Sequence, residues 1–260
     1  MYIICMLIAF LACVLGKICG MGGGVIIKPV LDALGVATVA AINFLSGCTV
    51  LGMSLWSVGK SWVQKDSQID LKISTPLALG AALGGILGKA LYSSVAAQFS
   101  SSETAGGIQA CLLLLATLAT LLYTIKKDAI RSWQVTNPLV CIGIGLALGM
   151  LGSFLGIGGG PFNMAVLYFF FSMSTKTAAQ NSLYVILISQ ATGLVKTMLS
   201  GQMPQVSVVL LAGMVCCGVL GSEIGGRLNR RLSESATTRL FESAMVLVMA
   251  ICVYNLFKFL

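Results

Sequence analysis

The chain has 260 residues, of which 57% are hydrophobic and only 9% are charged, and its formal net charge at pH 7 is +8. Soluble domains carry about 25% charged residues, so 16 basic and 8 acidic side chains are too few to cover a soluble surface. The composition excludes a soluble domain and predicts a multi-pass membrane protein. Without histidine, Cys-x-x-Cys or His-Glu-x-x-His, the sequence argues against hydrolytic and metal enzymes, so we expect no enzymatic activity, no cofactor and no bound metal.

Eight long apolar runs and two short ones follow one another along the chain. The long runs predict membrane-spanning helices, including the first, which lacks the basic region and cleavage site of a signal peptide. At about 1.5 Å per residue each short run reaches about 18 Å, too little for a hydrocarbon core of about 30 Å, so each predicts a half-helix. The long runs cover residues 2–20, 38–58, 73–96, 106–125, 138–157, 177–199, 205–227 and 238–257, and the short runs cover 24–35 and 160–172.

The two halves of the chain repeat one pattern. Ala40–Leu45 matches Ala178–Leu183, and Gly85–Gly88 matches Gly218–Gly221. These matches and a third one predict a duplication, with a first transmembrane repeat at 1–125, a cytoplasmic linker at 126–137 and a second repeat at 138–260. The third match pairs two glycine clusters, Gly16-x-x-x-Gly20-Met21-Gly22-Gly23-Gly24 and Gly152-x-x-x-Gly156-Ile157-Gly158-Gly159-Gly160.

Three basic loops, 60–72, 126–136 and 227–239, predict the orientation. The positive-inside rule makes all three cytoplasmic. The first of them follows the third element of its half, whereas the corresponding loop of the second half, 196–205, must then be external. We therefore expect an all-α polytopic protein of the cell inner membrane with two inverted repeats, each of four long helices plus a half-helix after a Gly-rich break. This plan is typical of secondary transporters.

The two glycine clusters are the candidate substrate site. The first turn of a helix has unpaired N–H groups and carries the positive end of the helix dipole, and glycines leave these groups uncovered. Two such ends that converge from opposite sides would bind an anion. Close helix packing is the alternative, but the repetition before a truncated helix favours binding. The candidate residues are Gly22, Gly23, Gly24, Gly158, Gly159 and Gly160.

Three polar side chains join this predicted site. Asn43 and Asn181 stand at matching positions in the two halves, and their amides can either donate to an oxyanion or bond between helices. Lys17 precedes the first cluster where the second half has Ser153. It either pairs with the substrate anion or extends to the cytoplasmic interface.

Other charged and small residues receive structural interpretations. Lys28 and Asp32 are spaced to pair on one helix face, and so are Glu223 and Arg227. Lys89 is interpreted as a lysine that extends to the membrane interface. The nine cysteines are interpreted as packing residues. Glycines four residues apart allow close helix packing and also suit a homodimer interface; they are Gly80, Gly84, Gly88, Gly145, Gly149, Gly221 and Gly225.

The chain resembles the sulfite exporter TauE/SafE family of membrane anion transporters. The resemblance rests on Gly20–Pro29, on Gly156–Gly160 and on the Ala-x-x-Asn-x-Leu segments that end at Leu45 and Leu183. It covers nearly the whole chain and implies transport of sulfur oxyanions or organosulfonates, usually as export across the bacterial inner membrane. The second half departs from the pattern, because it has Ala165 where the first has Pro29.

The predicted function is export of a small anion, such as sulfite, thiosulfate or an organosulfonate, by alternating access. A potential of about 100 mV, negative inside, drives one negative charge outward by about 2.3 kcal/mol, so export needs no coupling ion. The alternatives are a scaffold protein whose glycines only pack helices and a thiol enzyme that uses Cys216 and Cys217. The expected partners are the substrate anion and membrane lipid. Nucleic acid is not expected, because the basic residues lie in separate loops.

Overall fold

The computed structural model of the protein describes residues 1–97, 102–127, 130–201 and 203–259, so Asp128 and Ala129 of the predicted linker lie outside the described residues. Within these ranges it has ten α-helices and no strand, and seven helices are long and apolar enough to cross a membrane. The predicted all-α, multi-pass architecture is therefore confirmed. The helices are α1 (Tyr2–Cys19), α2 (Gly24–Leu34), α3 (Val39–Val63), α4 (Leu71–Ala96), α5 (Ser102–Lys126), α6 (Pro138–Phe154), α7 (Gly160–Phe171), α8 (Thr175–Leu199), α9 (Val208–Arg231) and α10 (Glu234–Phe259).

The lengths of the helices next to the glycine clusters agree with the sequence in three cases and differ in one. α2 has 11 residues and α7 has 12, which confirms both predicted half-helices, and α1 spans its predicted run. α6 is shorter than its apolar run and ends at Phe154 after 17 residues. It ends there because Gly156 has a φ of 71°, a left-handed conformation that terminates a helix, although its neighbours Leu155 and Ile157 are apolar.

In the first half of the chain, α1 and α2 form a hairpin around the first glycine cluster. α1 and α3 both run parallel to α9, so α2, which joins α1 to α3, must run back antiparallel to them. A Cβ atom added at Gly16 would lie 2.6 Å from the backbone of Gly22, so the turn folds back onto α1 where α1 lacks a side chain. The contacts that give these directions are Cys13–Gly218 and Lys17–Gly225 for α1, and Thr49–Gly218 and Met53–Ser222 for α3.

In the second half, α6 and α7 form the corresponding hairpin. α6 and α8 both run parallel to α4, so α7 runs back between them. The hairpin is closed at its base, because the Trp133 N–H donates to Phe169 O (2.7 Å) and the Val135 N–H donates to Phe170 O (2.9 Å). The contacts that give the directions are Leu77–Gly145 and Ala81–Gly149 for α6, and Asp70–Asn181, Ala81–Ser189 and Ile86–Lys196 for α8.

Glycines spaced by four residues bring helices of different halves into backbone contact. A Cβ atom at Gly84 would overlap Leu146 O of α6, and one at Gly225 would lie 2.6 Å from Val14 O of α1. The predicted packing role of these glycines is therefore confirmed. The same contacts correct the suggestion that these faces suit a homodimer, because they are already filled within one chain.

The remaining structural interpretations can be compared with individual contacts. Lys28 and Asp32 form an ion pair of 2.7 Å, and Arg227 and Glu223 form one of 2.9 Å, so both predicted pairs are confirmed. All nine cysteines are free, and five of them are buried, as packing residues would be. Cys216, however, is exposed.

Candidate functional site

The two glycine clusters contact each other inside the fold. A Cβ atom added at Gly24 would lie 3.1 Å from Ile157 O, and one added at Gly160 would lie 3.1 Å from Met21 O. α3 and α8, which follow the two hairpins, run antiparallel, since Gly47 lies against Gln190 while the rings of Trp62 and Tyr184 are 6.1 Å apart. The first turns of α2 and α7 therefore lie side by side and face in opposite directions.

A cavity of about 500 Å³ reaches the second cluster. We call it the Lys89 cavity. Gly156, Ile157 and Gly158 form part of its wall, beside the start of α7. α3 contributes Asn43 and its neighbours on the same face. The other polar side chains that line it are Ser46, Lys89, Tyr92, Ser93, Ser153, Gln190, Lys196, Thr197 and Ser200.

The Lys89 cavity has a positive charge that no lining carboxylate balances. Lys89 and Lys196 line it, and the described lining residues include no aspartate or glutamate. Lys89 Nζ donates to Gly193 O (2.9 Å) and to Thr197 Oγ1 (3.2 Å), and Lys196 Nζ donates to Ile86 O (3.2 Å). Because neutral oxygens leave the two charges in place, and charges interact strongly in a low-dielectric interior, the cavity favours an anion.

Asn43 presents an unused polar group to the same cavity. Its Oδ1 atom is buried and has no hydrogen-bond partner among the described residues. An unpaired buried polar group costs about 1–3 kcal/mol, which a ligand could recover. The Asn43 side chain also lines the cavity, and its amide nitrogen is a potential donor to a bound oxyanion.

Gly156 leaves the space in which two side chains meet the second cluster. A Cβ atom there would lie 2.6 Å from Asn43 Oδ1 and 2.8 Å from Lys28 Cε. Lys28 itself is neutralised by Asp32, and both side chains are 5% exposed. The ion pair therefore packs behind Gly156 and adds little net charge to the cavity.

Three residues of this cavity are not among the site residues that the sequence predicts. The sequence assigns Lys89 to the membrane interface, and it gives no role to Gln190 or Lys196. The side chain of Gln190 lies against Gly158. A polar side chain within a predicted span is by default a functional candidate, so the presence of Gln190 and Lys89 in apolar runs was the available signal.

The remaining predicted glycines do not line the Lys89 cavity. Gly22, Gly23 and Gly24 are buried at the start of α2, and Gly159 and Gly160 lie behind Gly158. A Cβ atom at Gly23 would lie 2.7 Å from Cys13 Sγ. In this conformation Gly24 and Gly160 form the contact between the two hairpins, whereas Gly23 packs within the first hairpin.

Asn181 has a different environment from its counterpart Asn43. It is fully buried, and its Nδ2 donates to Gln68 O (3.0 Å) and to Thr177 O (2.8 Å). Its Oδ1 accepts from the Asp70 N–H (2.9 Å) and from the Ser74 hydroxyl. Of the two interpretations of Asn181, the structure contains the bond between helices, so this residue is not carried into the site.

Lys17 lies outside the Lys89 cavity, in a second cavity where its Nζ donates to Ser57 Oγ. It therefore does not meet Asn43 or the second glycine cluster in this conformation.

Comparison with known proteins agrees with this architecture. A sequence profile of the family described as sulfite exporter TauE/SafE matches residues 5–252. The chain is also 24% identical over 273 residues to "Probable membrane transporter protein YunE" of Bacillus subtilis (strain 168), a match that covers 98% of each chain. No solved structure matches it. This multi-pass membrane protein therefore belongs to the sulfite exporter TauE/SafE family of membrane transporters.

Proposed function

We propose that this protein exports a small oxyanion or sulfonate, such as sulfite, thiosulfate or an organosulfonate, across the cell inner membrane, and that the anion binds in the Lys89 cavity. One observation carries the proposal: two lysines and an asparagine whose amide oxygen has no partner among the described residues line a cavity whose described lining residues include no carboxylate. The start of α7 adds the positive end of a helix dipole.

The arrangement of donors suits an anion with several oxygens. Lys89 and Lys196 supply charge-assisted hydrogen bonds, which are about twice as strong as neutral ones. Asn43 and Gln190 supply amide donors beside Gly156 and Gly158 of the second cluster. Gly159 and Gly160, with Gly22, Gly23 and Gly24 of the first cluster, support this wall and become available to the substrate when the hairpins move.

The two repeats are proposed to be inverted across the membrane. The basic loops 60–72 and 227–239 meet at one end of the helices through the Arg230–Asp66 ion pair of 3.0 Å. Lys127, in the basic loop 126–136, donates to Thr175 Oγ1 at the same end of α8 (3.2 Å). With this end cytoplasmic, α1–α2 enters from outside, α6–α7 enters from the cytoplasm, and the Lys89 cavity faces outward. Alternating access then exposes the centre to either side.

The direction of transport follows from the membrane potential. About 100 mV, negative inside, favours outward movement of one negative charge by about 2.3 kcal/mol, and of a dianion by about twice that amount. The described lining residues of the Lys89 cavity offer no carboxylate for a coupling cation. We therefore propose export without a coupling ion.

The scaffold alternative explains fewer observations. Packing accounts for the glycines between α4 and α6. It gives no role to the two lysines of the cavity or to the unpartnered Asn43.

A thermal-shift panel on the purified protein tests anion binding. At about 100 times its dissociation constant a ligand stabilises the folded state by about 2.7 kcal/mol, so sulfite, thiosulfate or sulfoacetate should raise Tm by about 5 °C over chloride of equal ionic strength. For the anion that raises Tm, Lys89→Gln should weaken binding at least tenfold, because a charged hydrogen bond contributes about 1.5–3 kcal/mol. Lys126→Gln, which removes an exposed charge, should leave the shift unchanged. If none of the anions shifts Tm, the scaffold interpretation is preferred.

A further inference from the structure

A second cavity lies at the other end of the same two helices. It has a volume of about 300 Å³, and we call it the Lys17 cavity. α3 lines the Lys89 cavity with its segment 40–50 and the Lys17 cavity with 56–61. α8 lines the Lys89 cavity with 190–197 and the Lys17 cavity with 176–180. Because α3 and α8 run antiparallel in contact, the two cavities lie in line along one helix pair.

The Lys17 cavity also has an excess of positive charge. Its two carboxylates are already paired: Glu223 with Lys60 and Arg227, and Asp66 with Arg230. Two further cations, Lys17 and Lys176, also line the cavity. Within the described part of the chain neither has a carboxylate within salt-bridge distance.

Lys17 is held in position, and an unused polar atom shares its cavity. A Cβ atom added at Gly225 would lie 3.0 Å from Lys17 Cβ, and a Cβ atom added at Gly226 would lie 3.5 Å from Lys17 Cε. Two glycines of α9 therefore make room for the aliphatic part of the lysine side chain. Asn229 donates from Nδ2 to Ile18 O (3.2 Å). Its Oδ1 is buried without a hydrogen-bond partner among the described residues. As an amide oxygen it only accepts hydrogen bonds, so the inference of an anion rests on the charges of Lys17 and Lys176.

The two cavities exchange a lysine and a serine between matching positions of the repeats. Lys17 matches Ser153, which lines the Lys89 cavity, and Lys89 matches Ser222, which lines the Lys17 cavity. In each matching pair the lysine therefore lines one cavity and the serine lines the other.

A short segment of α3 separates the cavities. Val50 lines the first and Ser57 lines the second, which is about 10 Å along the helix axis. Ser54 lies between them on the same helix face, and its hydroxyl is buried with no hydrogen-bond partner among the described residues.

We propose that the Lys17 cavity is a second anion-binding site, on the side of the basic loops, which holds the same oxyanion before it passes Ser54 to the Lys89 cavity. The proposal rests on the proposed function. Both cavities are present in one conformation, so the protein binds two anions per chain, one centred on Lys17 and one on Lys89.

Calorimetric titration of the purified protein with sulfite, and separately with thiosulfate, tests this stoichiometry. We expect two sites per chain for the effective anion. Lys17→Gln should weaken one site at least tenfold, which corresponds to about 1.4 kcal/mol, and should leave the other unchanged. Lys89→Gln should have the complementary effect. Lys65→Gln removes an exposed charge next to the same cavity and should retain both sites.

Two further variants distinguish loss of the site from loss of folding. Lys17→Arg keeps the charge and should retain both sites, whereas Asn229→Asp places a carboxylate beside Lys17 and should remove only its site. The second site is overturned if titration gives one site per chain, which Lys89→Gln removes and which neither Lys17→Gln nor Asn229→Asp affects. That result leaves the proposed function standing. No binding of either anion overturns the proposed function itself.

Discussion

Replacing Gly84 with leucine should prevent the protein from accumulating in a folded form. A Cβ atom at this position would overlap the carbonyl oxygen of Leu146 on α6 and lie 2.8 Å from its carbonyl carbon. Overpacking against movable side chains already costs about 1–3 kcal/mol, and here the obstacle is the backbone of a packed helix. Membrane abundance and size-exclusion profile in mild detergent measure the effect, and we expect loss of the monodisperse peak.

Gly143→Leu is the matched control for this substitution. Gly143 is also a glycine of the α4–α6 pair, on α6, but a Cβ atom there would meet nothing within 4 Å. This variant should accumulate and elute as the wild type does. Normal folding of Gly84→Leu would mean that α4 and α6 are not in backbone contact.

Gly156→Ala should reduce the affinity for the transported anion at least tenfold while the protein remains folded. The added Cβ atom would displace Asn43 Oδ1 at 2.6 Å and Lys28 Cε at 2.8 Å, and so would move the amide away from the cavity. The φ of 71° at this residue adds a backbone cost of about 1–2 kcal/mol for a residue with a side chain. Anion affinity by calorimetry and Tm without ligand separate the two effects.

Gly201→Ala isolates the backbone cost. Gly201 has a φ of 65°, and a Cβ atom there would have open space around it. The two variants should therefore lose similar stability from backbone conformation, while only Gly156→Ala loses affinity. Wild-type affinity in Gly156→Ala would remove Asn43 and the second glycine cluster from the binding site.

Features that depend on neighbouring residues in the sequence were predicted well. The half-helices α2 and α7 followed from short apolar runs after glycine clusters, because run length and glycine content are local properties. The end of α6 was misplaced, since Leu155 and Ile157 are as apolar as the helix before them. Hydropathy cannot separate a buried break from a span.

The residues of the proposed site depend on contacts that the sequence does not contain. Asn43 and Asn181 occupy matching positions, yet Asn43 faces Gly156, whereas Asn181 bonds to the loop before α4. The first glycine cluster packs instead on the backbone of Ala179, where Gly20 leaves no room for a side chain. Similarly, Lys89 points into the cavity because α4 packs against α8, where the Lys89 ammonium donates to Gly193 O.

Flux of sulfite from proteoliposomes under an imposed potassium diffusion potential tests the central claim most directly. An interior-negative potential of about 100 mV should drive net efflux, because it favours outward movement by about 2.3 kcal/mol per negative charge, and reversing the potential should reverse the net flux. The direction does not depend on how the protein is oriented in the vesicle, since a passive carrier follows the gradient either way. Sulfite flux that is the same at both signs of the potential would contradict an uncoupled anion exporter.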